Sequence, residues 1–453
     1  MRGLASLVVV ALVAGCFSGE PLNGALKCNH GPGRICPSGY YCANNDTCWM
    51  LNSSPDGHDM AMSLPAADMA QARVDLASVD GGGAAIMDLT MAMPMDMSAQ
   101  LPPGWSYAPA HISAASWIAN APSMTLNRAG ANAIDTDART INGATNNYFL
   151  ADSGSDHSYA VLSVGGLTVQ TPVTVTGKAA LIIVSTGAVM LSAPIHADAV
   201  GSTPGPGASD ASSPGAGGPG TKATPAGNHE QSGGGGGSFG TSGAIGGSGD
   251  SANTPAGAVK NNWVIGPKTA ILYGGSPGGP GSATQSNGGG GGGAVQISSS
   301  SSITIANNGG ISVNGGGGQM AIGGGGGGSG GQIFLEAPSL NVAGNLIANG
   351  GGGSGSGCLG CGGTAATNGS DGFYGSSVAS GGLGQLPMGG GGGAGAAGVM
   401  GSFVAAVAGG NNNSFAGGGG GGAGFIWLRY PAASPPTVSG VSSPAYGSDA
   451  TLP

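Results

Sequence analysis

The chain has 453 residues, of which 99 are glycine and 28 proline, yet only 7% are charged and 40% are hydrophobic. Disordered chains are usually polar and highly charged, so this balance predicts buried apolar segments with glycine between them. With a net charge of −9 and only 11 Lys and Arg, the chain lacks the cations that a nucleic-acid-binding face requires.

Residues 1–15 read as an export signal. Arg2 supplies the positive end, and Leu4 to Val13 form an apolar stretch. At about ten residues it is too short to span a bilayer, which takes ~20. Val13-Ala14-Gly15-Cys16 resembles the lipobox of bacterial lipoproteins. In that family small residues precede the cut and the cysteine thiol carries the lipid. The resemblance therefore implies acylation of Cys16. Phe17-Ser18, in place of the aspartate that retains such proteins in the inner membrane, implies the outer membrane. Several acyl chains hold stably where one binds only weakly.

Residues 16–51 carry the lipidated terminus and a small module with Cys28, Cys36, Cys42 and Cys48. So short a segment cannot bury a sufficient core and is expected to rely on disulfides. Three pairings are open. A zinc site is the alternative, but the four lack the tight CxxC spacing it favours. Residues 52–104 repeat Asp-Met-Ala units, as at Asp59-Met60-Ala61 and Asp68-Met69-Ala70, and read as a disordered linker. As a coil this spacer spans roughly 40 Å. Met91, Met93, Met95 and Met97 alternate within it. Thioethers so spaced suit Cu(I), but drift within the repeat explains them more simply.

From residue 105 onward, short apolar runs alternate in the manner of strands. Residues 105–160, with Trp105, Trp117, Tyr148 and Phe149, are expected to cap the array that follows. Residues 161–431 show an internal repeat. Ala294-Val295-Gln296-Ile297 leads to Ile303-Thr304-Ile305 and then Ile311-Ser312-Val313. Gln332-Ile333-Phe334-Leu335 leads in the same way to Leu340-Asn341-Val342 and Leu346-Ile347. No such unit buries its apolar face alone, so stacking is expected. The predicted fold is all-β: a right-handed parallel β-helix (solenoid) with glycine-rich inserted loops. Its handedness follows from the general preference of crossovers. The glycine runs are read either as flexible loops or as extended polyglycine helices packed on one another. Trp427, Tyr430 and Pro431 are expected to close the far end, and residues 432–453 to form a flexible tail.

Thr140-Ile141-Asn142, the segment Gly330 to Pro338 and Ala348-Asn349-Gly350 resemble motifs of glycine-rich envelope lipoproteins of gliding and predatory Gram-negative bacteria. The resemblance spans most of residues 105–430, together with the lipobox and spacer. It implies architecture and location, and carries over no catalytic residue.

Chemistry is sparse. Between Thr269 and Tyr430 the charged side chains are Glu336, Asp371 and Arg429, with no histidine. A catalytic site would have to draw on the earlier half, for example Asp135, Asp137, Arg139, Asp152, Asp156 and His157, and the four aspartates among them are of the kind that ligates calcium. Solvated turn residues are the simpler reading. Gly327-Gly328-Ser329-Gly330-Gly331 fits the GxSxG pattern, but a Gly/Ser tract produces it by chance. Cys358 and Cys361 form a CxxC without the strand–helix context that tunes a thiolate, so a loop-closing disulfide is expected. No catalytic residue, metal or cofactor is expected. The chain is expected to be a non-enzymatic structural or adhesive protein, displayed by its lipid at the cell outer membrane. Its expected partners are the membrane and polysaccharide or other cell-surface components. The alternative is a carbohydrate-active enzyme of the polysaccharide lyase or hydrolase kind.

Overall fold

Alternation of buried β-branched residues with small polar ones makes strands, and strands are the regular structure of this protein in the computed structural model. It describes the strands Tyr40–Cys42 and Cys48–Met50 and residues 104–453, except 114–115, 119, 154–157, 222–230, 250–270, 283–286, 359–364, 399–401, 403 and 413. Cys16, Cys28, Cys36, Cys361, the methionine row and nearly all of the linker lie outside the described residues.

The chain divides into two units, residues 1–93 and 94–453. In the first, Tyr40–Cys42 pairs antiparallel with Cys48–Met50, and Cys42 stands opposite Cys48 in the register.

The second unit holds three sheets. The first runs through Ser123–Leu126, Gly166–Val169, Val189–Leu191, Ser302–Ile305, Ser339–Val342 and Thr437–Val438. The second includes Asn132–Asp135, Val173–Thr176, Pro194–His196, Gly310–Ser312, Asn345–Ile347 and Ser442–Ser443. The third includes Ser158–Val164, Ala180–Ser185, Ala294–Ser299, Gln332–Glu336, Phe425–Pro431 and Gly447–Leu452. From Ser158 onward the chain visits the third, first and second sheets in rotation.

The expectation of a right-handed parallel β-helix with glycine loops is corrected. The sheets are open, and the second and third mix parallel with antiparallel pairing. Phe149–Ser153 runs antiparallel to Ser158–Val164. Thr140–Ile141 pairs antiparallel with both Asn132–Asp135 and Ala144–Thr145. The reversal has a local cause. Asn142 and Gly143 have φ of 54° and 79°, the left-handed pair that a two-residue hairpin turn demands.

Within residues 105–160, Ser123–Leu126, Ala144–Thr145 and Phe149–Ser153 form the first edge of the three sheets, while Trp105 and Trp117 lie outside those strands. They lie with Tyr107 on the outer face of the third sheet, against Val161, Ile182 and Phe334. Residues 432–453, expected to be a loose tail, supply the last strand of each sheet.

The inner faces share one core. Leu162, Ile183, Ile297, Leu335 and Leu428 stand in register in the third sheet, and all are buried. Val169, Leu191, Ile305 and Val342 do the same in the first, and Val173, Ile195, Ile311 and Leu346 in the second. Ile297 sits between Ile183 and Leu335. Ile297→Ala should therefore lower unfolding free energy by ~2–5 kcal/mol, because neighbours on adjacent strands cannot collapse into the gap. Urea denaturation checks this, and a loss under about 1 kcal/mol would contradict such packing.

The glycine runs form a second, dry layer. Residues 324–331 are buried, and their backbone bonds follow a period of three. Gly326 and Ser329 donate to Gly279 and Ser276 of one run. Gly327 and Gly330 donate to Gly419 and Gly422 of a second, and Gly328 and Gly331 to Gly316 and Val313 of a third. Carbonyls do likewise: Gly324 and Gly327 accept from Gly234 and Gly237, Gly325 and Gly328 from Ser354 and Gly351, and Gly326 and Ser329 from Gly289 and Gly292. Three residues per turn is the period of the polyproline II helix. One run is thus surrounded by neighbouring runs, with its amides paired outward on every side. This is the packed alternative for the glycines, and it satisfies buried backbone groups that no sheet ladder reaches.

Candidate functional site

Two polar clusters arise where charged or imidazole side chains fall on outward positions of covered sheets. The first centres on Glu336, at the end of the strand Gln332–Glu336, whose side chain is fully buried. Its Oε1 accepts from Ser298 Oγ at 2.6 Å, from the Ala110 N–H at 2.8 Å and from Gln296 Nε2 at 3.2 Å. Its Oε2 accepts from Arg429 Nη1 at 3.0 Å. Gln296 Nε2 also donates to Ala110 O, and Gln296 Oε1 meets His111 Nδ1. Tyr107 OH lies 2.8 Å from Ser299 O and 2.9 Å from Glu336 O. The Arg429 guanidinium sits 5.9 Å from the Tyr107 ring centroid.

Burial pushes the Glu336 carboxyl above its ordinary pKa, against the pull of Ser298, the Ala110 amide and Arg429. Burial, then the nearby carboxylate, pushes the Tyr107 phenol up in the same way. The cluster fastens the segment around Tyr107 to His111 across the third sheet. Both oxygens of the carboxylate are engaged within the protein.

The second cluster lies on the second sheet, where His196 pairs with Ser312 in the register. Ser312 Oγ donates to Asp198 Oδ2 at 2.7 Å, and His196 Nδ1 lies 2.8 Å from the same hydroxyl. Asp198 Oδ1 accepts from the Asn314 N–H at 2.6 Å. The Tyr374 ring packs edge-on against His196 with centroids 5.2 Å apart, and its hydroxyl donates to Gly309 O at 3.1 Å. Burial, with Asp198 nearby, pushes the Tyr374 phenol up to about 12.

Serine, histidine and aspartate meet here, but not as a nucleophilic triad. In a triad the serine proton faces one imidazole nitrogen and the carboxylate orients the other. In this cluster one nitrogen faces both partners, at 2.8 Å from Ser312 and 3.4 Å from Asp198. The serine proton goes to the carboxylate, and Ser312 is fully buried. This cluster is not apparent from spacing, because Ser312 and His196 are 116 residues apart and only the strand register joins them.

Among the described residues the sequence candidates do not assemble. Asp135 Oδ1 accepts from the Asp137 and Ala138 amides, and Asp137 Oδ1 from the Lys178 amide. Both carboxylates close turns. Asp152 lies on the strand beside Ser158–Val164, while Asp156 and His157 lie outside the described residues. Arg139 has a positive φ of 53°, at the turn between Asn132–Asp135 and Thr140–Ile141. Asp371 Oδ1 accepts from the Gly201 and Gly317 amides, which bind it to the glycine layer. Ser329 of the GxSxG match is buried and bonded to the Ser276 backbone. Cys358 is disulfide-bonded. Among the described residues no group of three or more His, Cys, Asp or Glu is placed to hold a metal ion. No helix among them is long and apolar enough to cross a membrane.

The described unit is thus an all-β protein whose ionisable clusters are knit into its own packing. Comparison with protein-family models, with curated proteins and with solved structures finds no match to this chain.

Proposed function

We propose that this chain is a lipid-anchored protein of the outer membrane that serves a structural or adhesive role at the cell surface and is not an enzyme. The observation that carries the proposal is the disposition of its ionisable side chains. Glu336, Arg429, His196, Asp198 and Asp371 each hydrogen-bond within the protein itself. General acid–base and nucleophilic catalysis need a group within reach of a substrate proton or carbonyl. A lipid at Cys16, a crosslinked module and a spacer would carry a stiff, weakly charged body outward from the membrane.

The anchor is tested by metabolic labelling with a clickable fatty acid. Wild type should incorporate label and Cys16→Ser should not; equal labelling of the two would defeat the anchor. Protease added to intact cells should cut the glycine-rich unit, whereas cleavage only after the outer membrane is opened would place it inside. Turnover of a polysaccharide by the purified protein would overturn the non-enzymatic reading.

A further inference from the structure

The outer face of the third sheet is covered, and that of the second is covered in part around Ser312. The segment around Trp105 to Ile112 lies over the third. Tyr374 and Gly372 approach Gly310 and Asn314 at the second. The first sheet differs. Its outward positions form one row in register: Thr125, Thr168, Met190, Thr304, Asn341 and Thr437. Thr125, Asn341 and Thr437 are exposed, Met190 is 48% exposed, and Thr168 and Thr304 are half-buried. Ser302 and Ser339 extend a second row beside it. The alternate residues, such as Val169 and Ile305, point into the core. Neither row carries a charge, although the chain as a whole is at −9.

We infer that this face binds an uncharged, extended polysaccharide of β-linked pyranoses lying across the strands. Charge selects the class of ligand. A neutral polymer meets hydroxyls and an amide without stripping water from any ion, whereas an anionic polymer meets no cation here and a net-negative protein around it. Chemistry narrows it further: Thr and Asn side chains both donate and accept, as sugar hydroxyls require. Met190, in the middle of the row, offers a soft apolar contact for the C–H face of a ring. Geometry agrees, because adjacent strands are ~4.8 Å apart, close to the advance per sugar of an extended β-linked chain. Successive sugars then meet successive strands. The inference rests on the adhesive reading above and adds the face and the partner.

The test uses the full chain in detergent with microcrystalline β-1,4-glucan, and alginate beads as the anionic comparison. The glucan should retain wild type equally at low and high salt, and alginate should not. Met190→Lys and Asn341→Lys should each weaken retention on the order of tenfold. Thr174→Lys, at an exposed position of the second sheet, should leave it unchanged. Thermal midpoints of all three variants establish that they fold. Failure of wild type to bind, equal retention of the row variants, or equal retention on alginate would each overturn the inference. So would a concentration-dependent dimer that Asn341→Lys abolishes, which would assign the face to a second copy. Protease accessibility on intact cells is independent of all these, so surface display can stand while the glucan fails.

Discussion

Gly327→Ala should unfold the glycine layer at a denaturant concentration where wild type stays folded. A methyl group on Gly327 would overlap the carbonyl oxygen of Gly351, deep inside contact distance, with the Gly351 carbon and the Gly352 oxygen close behind. That oxygen belongs to backbone, so no rotamer change relieves the overlap. The runs must separate, and separation breaks bonds on several sides at once. Gly327 donates to Gly419 and accepts from Gly237, while its neighbour Gly328 donates to Gly316 and accepts from Gly351. Overpacking alone costs ~1–3 kcal/mol. Each buried hydrogen bond lost adds about 0.5–1.5 kcal/mol. A total of roughly 3–5 kcal/mol follows, a large share of a domain's net stability. Gly375→Ala is the control, because an added Cβ there meets nothing within 4 Å. It should shift stability by less than about 0.5 kcal/mol. Equal effects of the two substitutions would show that the runs are not in backbone contact.

Glu336→Ala should cost nearly as much, for an electrostatic reason. The substitution strands Ser298 Oγ, the Ala110 amide, Gln296 Nε2 and Arg429 Nη1, all of which donate to this one carboxylate. Removing one member of a buried ion pair typically costs ~3–5 kcal/mol, because the remaining charge stays uncompensated. Arg429 retains some solvent access, which places the expected loss near the lower end of that range. Glu336→Gln keeps the shape and the three bonds on the Oε1 side but sets an amide donor against Arg429. It should lose about 1–3 kcal/mol. Tyr107→Phe, which removes the hydroxyl between Ser299 O and Glu336 O, tests whether the cluster also fastens the overlying segment. Amide exchange around Ala110 should accelerate in Glu336→Ala before exchange in the inner core does. Uniform acceleration throughout would mean that the cluster is not a local clamp.

Much of the fold is written in short-range pattern. Runs such as Ile303-Thr304-Ile305 and Leu340-Asn341-Val342 alternate strictly, and each lies in a strand with its apolar residues in the shared core. The antiparallel hairpin is also local: Asn142-Gly143 is a turn signal, here in the left-handed region. The role of the last residues is not legible in the sequence, because Thr437–Val438 and Ser442–Ser443 are too short to show a period and become strands only against a preformed edge.

The polar clusters were illegible for another reason. Glu336 stood out as one of few charged residues, but its partners Ala110 and Arg429 are 226 and 93 positions away. No spacing rule reaches so far.

By itself the amino-acid order determined the longer alternating strands, which of their faces are apolar, and that the glycine runs lie between them, because those properties depend on each residue and its near neighbours. Which glycine run lies against which, how the sheet edges are paired, and which donors surround Glu336 were decided only by the tertiary structure. A backbone amide carries no side-chain identity, so identical glycines differ only in the neighbour that three-dimensional packing brings to them.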